Sequence, residues 1–550
     1  MKTKILRQFG KVTLFSAICI LSYGQLFFAT GLYLWDGALV YFHLHTGHVH
    51  LLRAWQQYAS LPLYTEIFVL LSFFKNISLA YSFFMLVILS VSSFLVYLLL
   101  KQLPHLPARA PIVISILFVV TPLISAFPSL VMFPYVFHNM LLMAALTLRA
   151  WQLKNQKRET IWTFFVLVLM FSGFNLKSTL FFGPAAMVIM WFIFRWPDIK
   201  WKSCIKDNAL FFLIAPIYLV LVGWLFPLRG SYAGYNMPQS DITTISKCLV
   251  FSFWSVINNA VECFLQLLSM LAFIALKEDL MRPARLIIGF ILLLPLIIAF
   301  LRGWKNNKNI CTAIIICAIL YLFSIFPYII IGKSPSYAYL NSRHALLSVL
   351  PISALLFFSV ELVSAVFFRA FYKIAAITLF LIIVLGCLIT NTNRNLSFFS
   401  RNLQDIALLQ FLKENVSLKR SSVIQISSRP DIGIPGNDCI RAYELSVIAA
   451  DAWNQENQVL VIYNEKDPEE QIRQIALAVK NNDLSNWTAG ILNNFKYDGR
   501  ISKLAIEWRD KKWVKRYGVN IDLLKIALKT IFYPQEKAVI AKQLFKLHKL

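Results

Sequence analysis

Polar and apolar positions along this chain alternate on a long scale. Runs of about 20 apolar residues, the length that crosses a bilayer, are separated by short basic stretches. The runs at 12–35, 78–100, 110–127, 129–149, 160–174, 179–195, 209–226, 286–301, 310–331, 345–366 and 373–390 predict a polytopic α-helical membrane protein with about 11 transmembrane helices. The first run is longer than a signal-peptide core and lacks a small-residue cleavage site, so it is expected to persist as the first span. Residues 248–276 are also long and apolar, but they carry Asn258, Asn259 and Glu262. That pattern predicts one or two helices lying in the outer interface, or a re-entrant hairpin. After Thr390 the membrane-length runs stop. Strand-like segments (Ser422–Ile426, Gln458–Tyr463, Lys503–Trp508) alternate with helical ones (Asp438–Trp453, Glu469–Asn481, Ile521–Phe532), which predicts a small soluble α/β domain. The polar stretch NTNRN at 391–395 reads as the boundary between residues 1–390 and 391–550.

Charge orients this plan. Lys and Arg outnumber Asp and Glu by 53 to 27, a surplus that could mark a nucleic-acid partner, but it sits mainly in the short loops between spans. Lys101/Arg109, Lys154/Lys157/Arg158, Lys200/Lys202/Lys206, Arg302/Lys305/Lys308 and Arg369/Lys373 all fall on one side if residues 227–285 do not cross, and that side is then the cytoplasm. Residues 36–77 and 227–285 become outer loops, and 391–550 an extracytoplasmic domain. Cysteine adds little. Cys439 is the lone cysteine after residue 390, and Cys248 with Cys263 is the pair that shares an outer loop.

Against that background the stretch LWDGALVYFHLHTGHVH at 34–50 stands out. Asp36 follows the first apolar run, and Asp36 and Glu66 are the only acids before Glu159. A carboxylate here can simply solvate a helix end or pair with Arg53. It can also serve as a base, with Trp35, Tyr41 and Tyr64 as aromatic walls. His43, His45, His48 and His50 form a cluster dense enough to hold a borderline metal, but no regular element points all four inward. Sugar or phosphate hydrogen bonding, or polar filling of an interfacial helix, uses the same residues.

The plan resembles the GT-C superfamily of integral-membrane glycosyltransferases, which draw a sugar from a polyprenyl-phosphate carrier. WDG at 35–37 followed by YASLPLY at 58–64 is similar to the opening of the GPI-mannosyltransferase-like branch. Gly37 stands where many other branches carry a second acid, which leaves Asp36 as the base by resemblance and Glu66 as a second acid to consider. YAYLNSRHALLSVLP at 337–351 resembles the element that contacts the donor phosphate ahead of a late span, which implies that role for Arg343 and His344. Lys177, in the outer turn GFNLKSTLF, and Arg229, before RGSYAGYN, are further cations for the phosphate. The resemblance implies an inverting hexosyl- or pentosyltransferase with no cofactor. Its donor is a polyprenyl-phosphate-linked sugar and its acceptor a lipid or glycan of the cell envelope, with the site on the periplasmic face of a bacterial inner membrane.

Two other classes share parts of this pattern. An O-antigen polymerase or ligase-like enzyme takes a diphosphate-linked glycan, but relies on arginine-rich outer loops without the early acid. A transporter or flippase places charges at mid-membrane and shows repeated halves. Neither feature is evident here, although Glu361 lies inside an apolar run.

Overall fold

The computed structural model describes residues 2–34, 36–47, 49–58, 63–156, 160–196, 201–227, 238, 241–271, 278–336, 340–428, 442–453, 459–463, 468–481, 488, 492, 495–509 and 521–549. Helix α1 is Lys2–Tyr23, followed by the short α2 Leu26–Ala29, α3 Asp36–His45, α4 Val49–Tyr58 and α5 Tyr64–Ser72. A bundle follows: α6 Ile77–Gln102, α7 Ala110–Val120, α8 Met132–Lys154, α9 Thr160–Gly173, α10 Thr179–Arg195, α11 Trp201–Leu225, α12 Ile242–Leu271, α13 Glu278–Asn306, α14 Lys308–Ile330, α15 Val349–Phe367 and α16 Tyr372–Glu414. Beyond it come α17 Ala442–Trp453, α18 Pro468–Lys480, α19 Ile521–Phe532 and α20 Lys537–Leu544. Among the described residues, seven helices are long and apolar enough to cross a membrane, and several shorter apolar helices lie among them.

The ends of these helices define two ends of the bundle. At the first, which we call basal, Arg109 forms an ion pair with Glu361 at 2.7 Å beside the Tyr372 hydroxyl. Gln102 reaches the Thr147 carbonyl, and Asp207 joins α8, α10 and α11 by accepting from Trp191 and, through its carbonyl, from Arg149. Gly303 packs on Leu362 and Val366. Each of the five basic clusters therefore has described members at the basal end. Glu361 is accounted for here by its partners.

The opposite, apical end is organised by the segment 121–131. Thr121 precedes Pro122 and is extended, with ψ 120°, which stops α7 at Val120. The run 110–127 is thus not one helix. Every residue from 121 to 134 is buried, and a buried loop needs partners for its backbone polar groups. The Tyr81 hydroxyl donates to the carbonyls of Phe127 and Ser129, and the Ser129 hydroxyl donates to the Leu34 carbonyl at 2.9 Å. The Gly31 amide donates to Pro128, and the Ala126 amide to the Ser342 hydroxyl. The run 12–35 also breaks, because α1 ends at Tyr23 and residues 26–34 fold back across this end.

Helix α16 carries the expected boundary stretch inside it. It runs 43 residues without interruption, straight through NTNRN. That stretch is a hydrogen-bonding hub: Asn391 donates to the Ser22 hydroxyl and the Val120 carbonyl, while Arg394 reaches the Pro122 carbonyl, Asn259 and Glu262. Helix α12 is a single 30-residue helix with no hairpin. Its length and composition suit a span, yet Ser252 meets Tyr321, Ile257 meets Gly289 and Cys263 meets Gly386. These contacts all lie about 20–25 Å from the basal end at 1.5 Å per residue. Helix α12 packs on α13, α14 and α16 toward the apical side and also meets Arg394 two turns farther along α16.

The C-terminal region forms a four-stranded sheet in the order β2-β1-β3-β4, with β1 Val423–Ser428, β2 Leu460–Tyr463, β3 Ile501–Trp508 and β4 Phe545–Lys549. β1 pairs in parallel with β2 and β3, and β4 closes the edge antiparallel. The expected strands and helices appear within a few residues of their predicted bounds, and β4 is an addition. Val423, Leu460 and Ile462 bury one face with Ile472 and Ile475 of α18.

Candidate functional site

The apical end gathers several of the residues singled out in the sequence. Asp36 is the first residue of α3; its side chain lies outside the described set, as do Trp35, His48 and Arg229. Its neighbour Gly37 packs so tightly on Ser129 and Leu130 that an added Cβ would sit 3.0 Å from the Ser129 hydroxyl oxygen. The start of α3 is therefore clamped against the 121–131 segment.

The other side of that segment holds the arginine. Ser342 accepts from Ala126 and lies 3.4 Å from the Ser125 hydroxyl, which places Arg343 next to the same loop. Arg343 and His344 belong to a nine-residue 3-10 helix, Leu340–Ser348. Such helices rarely exceed 3–4 residues, and long ones mark strained or functional segments. Arg343 is half-buried and His344 buried. The His344 ring lies 4.4 Å from that of Tyr328, whose hydroxyl donates to the Ser178 hydroxyl at 2.8 Å. Lys177 precedes Ser178 in the turn between α9 and α10, where burial pulls its ammonium down to about 8. Lys333 is delivered to the same end by Gly332, whose φ of +71° ends α14 in the left-handed region.

Tyr64, at the start of α5, packs between Tyr135 at 5.7 Å and His138 at 6.0 Å. Arg343, His344, Tyr64 and the Lys177 turn thus share one neighbourhood with Tyr135, His138, Tyr328 and Lys333, which the sequence reading did not single out. Their signal was faint: polar groups in the apical turns of otherwise apolar runs. Around His138 the Ser172 backbone lies close, but neither ring nitrogen makes a full hydrogen bond.

The remaining residues are spread out. Tyr41 turns its hydroxyl toward Asp451 of α17. Glu66 is exposed on the first turn of α5. His43 is buried, whereas His45 and His50 are exposed and the His45 ring lies on Tyr41. Among the described residues no three His, Cys, Asp or Glu side chains converge as a metal site. Cys263 neighbours Cys387 of α16.

No family model matches the chain, and no curated protein or solved structure matches it.

Proposed function

We propose that this protein is a glycosyltransferase that moves a sugar from a polyprenyl-phosphate donor to a lipid or glycan acceptor at the apical face of the membrane. The observation that carries this reading is the 121–131 segment. One buried loop binds the backbone beside Asp36 through Ser129 and the residue beside Arg343 through Ala126. A carboxylate-bearing helix start and an arginine separated by some 300 residues of sequence meet on opposite sides of one strap. The described members of the five basic clusters lie at the other end, and the positive-inside rule supports an extracytoplasmic apical end.

In this reading the acceptor hydroxyl gives its proton to the Asp36 carboxylate as its oxygen bonds to the anomeric carbon. The bond from that carbon to the donor phosphate breaks with inversion, and the electron pair leaves with the phosphate. Arg343 holds the departing phosphate through its planar fork, and Lys177 adds positive charge. A positioned base is worth about 10²–10⁴ in rate. The test is transfer by purified protein from a panel of radiolabelled polyprenyl-phosphate sugars, with Asp36→Asn as control. Loss of at least about a hundredfold in the variant supports the base. An inactive wild type across the panel, or a variant retaining more than a tenth of wild-type turnover, refutes the reading.

A further inference from the structure

Helix α3 is held on two sides. On one, Gly37 lies against Ser129 and Leu130. On the other stands α17, the first helix of the C-terminal region. The Tyr33 hydroxyl donates to Asp451 Oδ2, and the Tyr41 hydroxyl lies 3.5 Å from the same oxygen. The two rings meet edge to face at 5.5 Å. Burial and the Asp451 charge push both phenols well above their ordinary range, so both remain protonated donors at any physiological pH. Tyr33 precedes α3 by three residues, and Tyr41 follows Asp36 by five. One carboxylate oxygen therefore grips α3 on either side of its first residue.

Helix α17 is itself fixed. Arg401 of α16 is buried and bonds Asp405 at 3.0 Å and Glu444 of α17 at 3.3 Å. The Trp453 indole donates to the Leu412 carbonyl at 3.0 Å. Asn402 reaches the Thr30 carbonyl at 2.8 Å, so α16 also steadies the chain that leads into α3. A lid would hang on a hinge. Here a rigid helix and an ion-paired triad back the contact.

We propose that Asp451 is a positioning residue. It sets the bearing of α3, and through α3 the direction of the Asp36 carboxylate, which makes the C-terminal domain a brace for the catalytic helix. The inference deepens the transferase reading and rests on it for the role of Asp36.

The experiment uses the purified full-length protein with Asp451→Leu, the double variant Tyr33→Phe/Tyr41→Phe, and Asp451→Asn, which keeps an oxygen acceptor. Hydrogen exchange is followed in peptides covering 36–45, and the pH profile of kcat is measured beside the donor KM. In Asp451→Leu and the double variant, α3 amides exchange faster by about tenfold or more while α6 and α8 keep their protection. In the same variants kcat falls and its acid limb shifts, because the base changes surroundings, and the donor KM holds. Asp451→Asn restores most of both. Unchanged protection of α3, loosening of the whole bundle, or an acid limb that stays put in Asp451→Leu overturns the proposal. If α3 loosens as expected but the wild type transfers no sugar, the brace stands and the transferase reading falls.

Discussion

Arg401→Met should loosen the C-terminal domain from the bundle, by an amount the structure sets. Arg401 is one cation between two carboxylates, Asp405 and Glu444, whose side chains are each 1% exposed. Removing one partner of a buried ion pair costs about 3–5 kcal/mol, because the remaining charge is stranded out of water. Here two carboxylates lose the cation they share, and we expect α17 to lose about 3–5 kcal/mol of opening free energy by amide hydrogen exchange. Replacing all three residues by apolar ones, Arg401→Met with Asp405→Leu and Glu444→Met, should recover much of the loss. An Arg401→Met protein within about 1 kcal/mol of wild type would show that the triad does not hold α17.

Arg343→Lys should raise the donor KM and Arg343→Ala should raise it further, because an ammonium lacks the two parallel donors of a guanidinium; equal effects in steady-state transfer would argue against a bidentate phosphate contact. With its ammonium held down to about 8, Lys177 is charged below that pH and loses its charge above it. Donor affinity should therefore decline from pH 7.5 to 9, and Lys177→Arg should flatten the profile. If the decline persists in Lys177→Arg, another group is responsible. Leu477 is exposed on α18, so a thiol at Leu477→Cys in a cysteine-free background should react with an impermeant maleimide added outside intact cells. Labelling only after lysis would invert the orientation.

Much of this fold was legible because membrane helices and buried strands leave long, simple patterns. The run 179–195 matches α10 to the residue, and Ile521–Phe532 matches α19. The failures share one physical origin. NTNRN is polar, and polarity in sequence does not say whether a residue faces water or feeds a buried carbonyl; Asn391 and Arg394 do the second. TPLISAF at 121–127 is apolar, and hydropathy does not separate a spanning helix from a buried loop. Pro122 and Pro128 were the available signal, since proline disfavours helix in the residue before it. The candidate site was half legible. Asp36 and Arg343 stood out by the scarcity of acids and by a helix-flanking position. Asp451 did not, because its partners lie more than 400 residues away and an aspartate near the end of an amphipathic helix is unremarkable in sequence.

The strap at 121–131 has a consequence for the order in which the protein can be made. Its Pro122 carbonyl and that of Val120 just before it are satisfied by Arg394 and Asn391, which leave the ribosome some 270 residues later. At 5–20 residues per second that interval is roughly 15–50 s. For that time the Val120 and Pro122 carbonyls lack their final partners, while Tyr81, Leu34 and Gly31, made earlier, already meet the rest of the segment. This edge of the apical end is therefore an unfinished seam through roughly half of synthesis, open to water or to a membrane chaperone, and α16 closes it late. A chain stopped just before Asn391 would keep most of its apolar helices, yet it would never seal this seam.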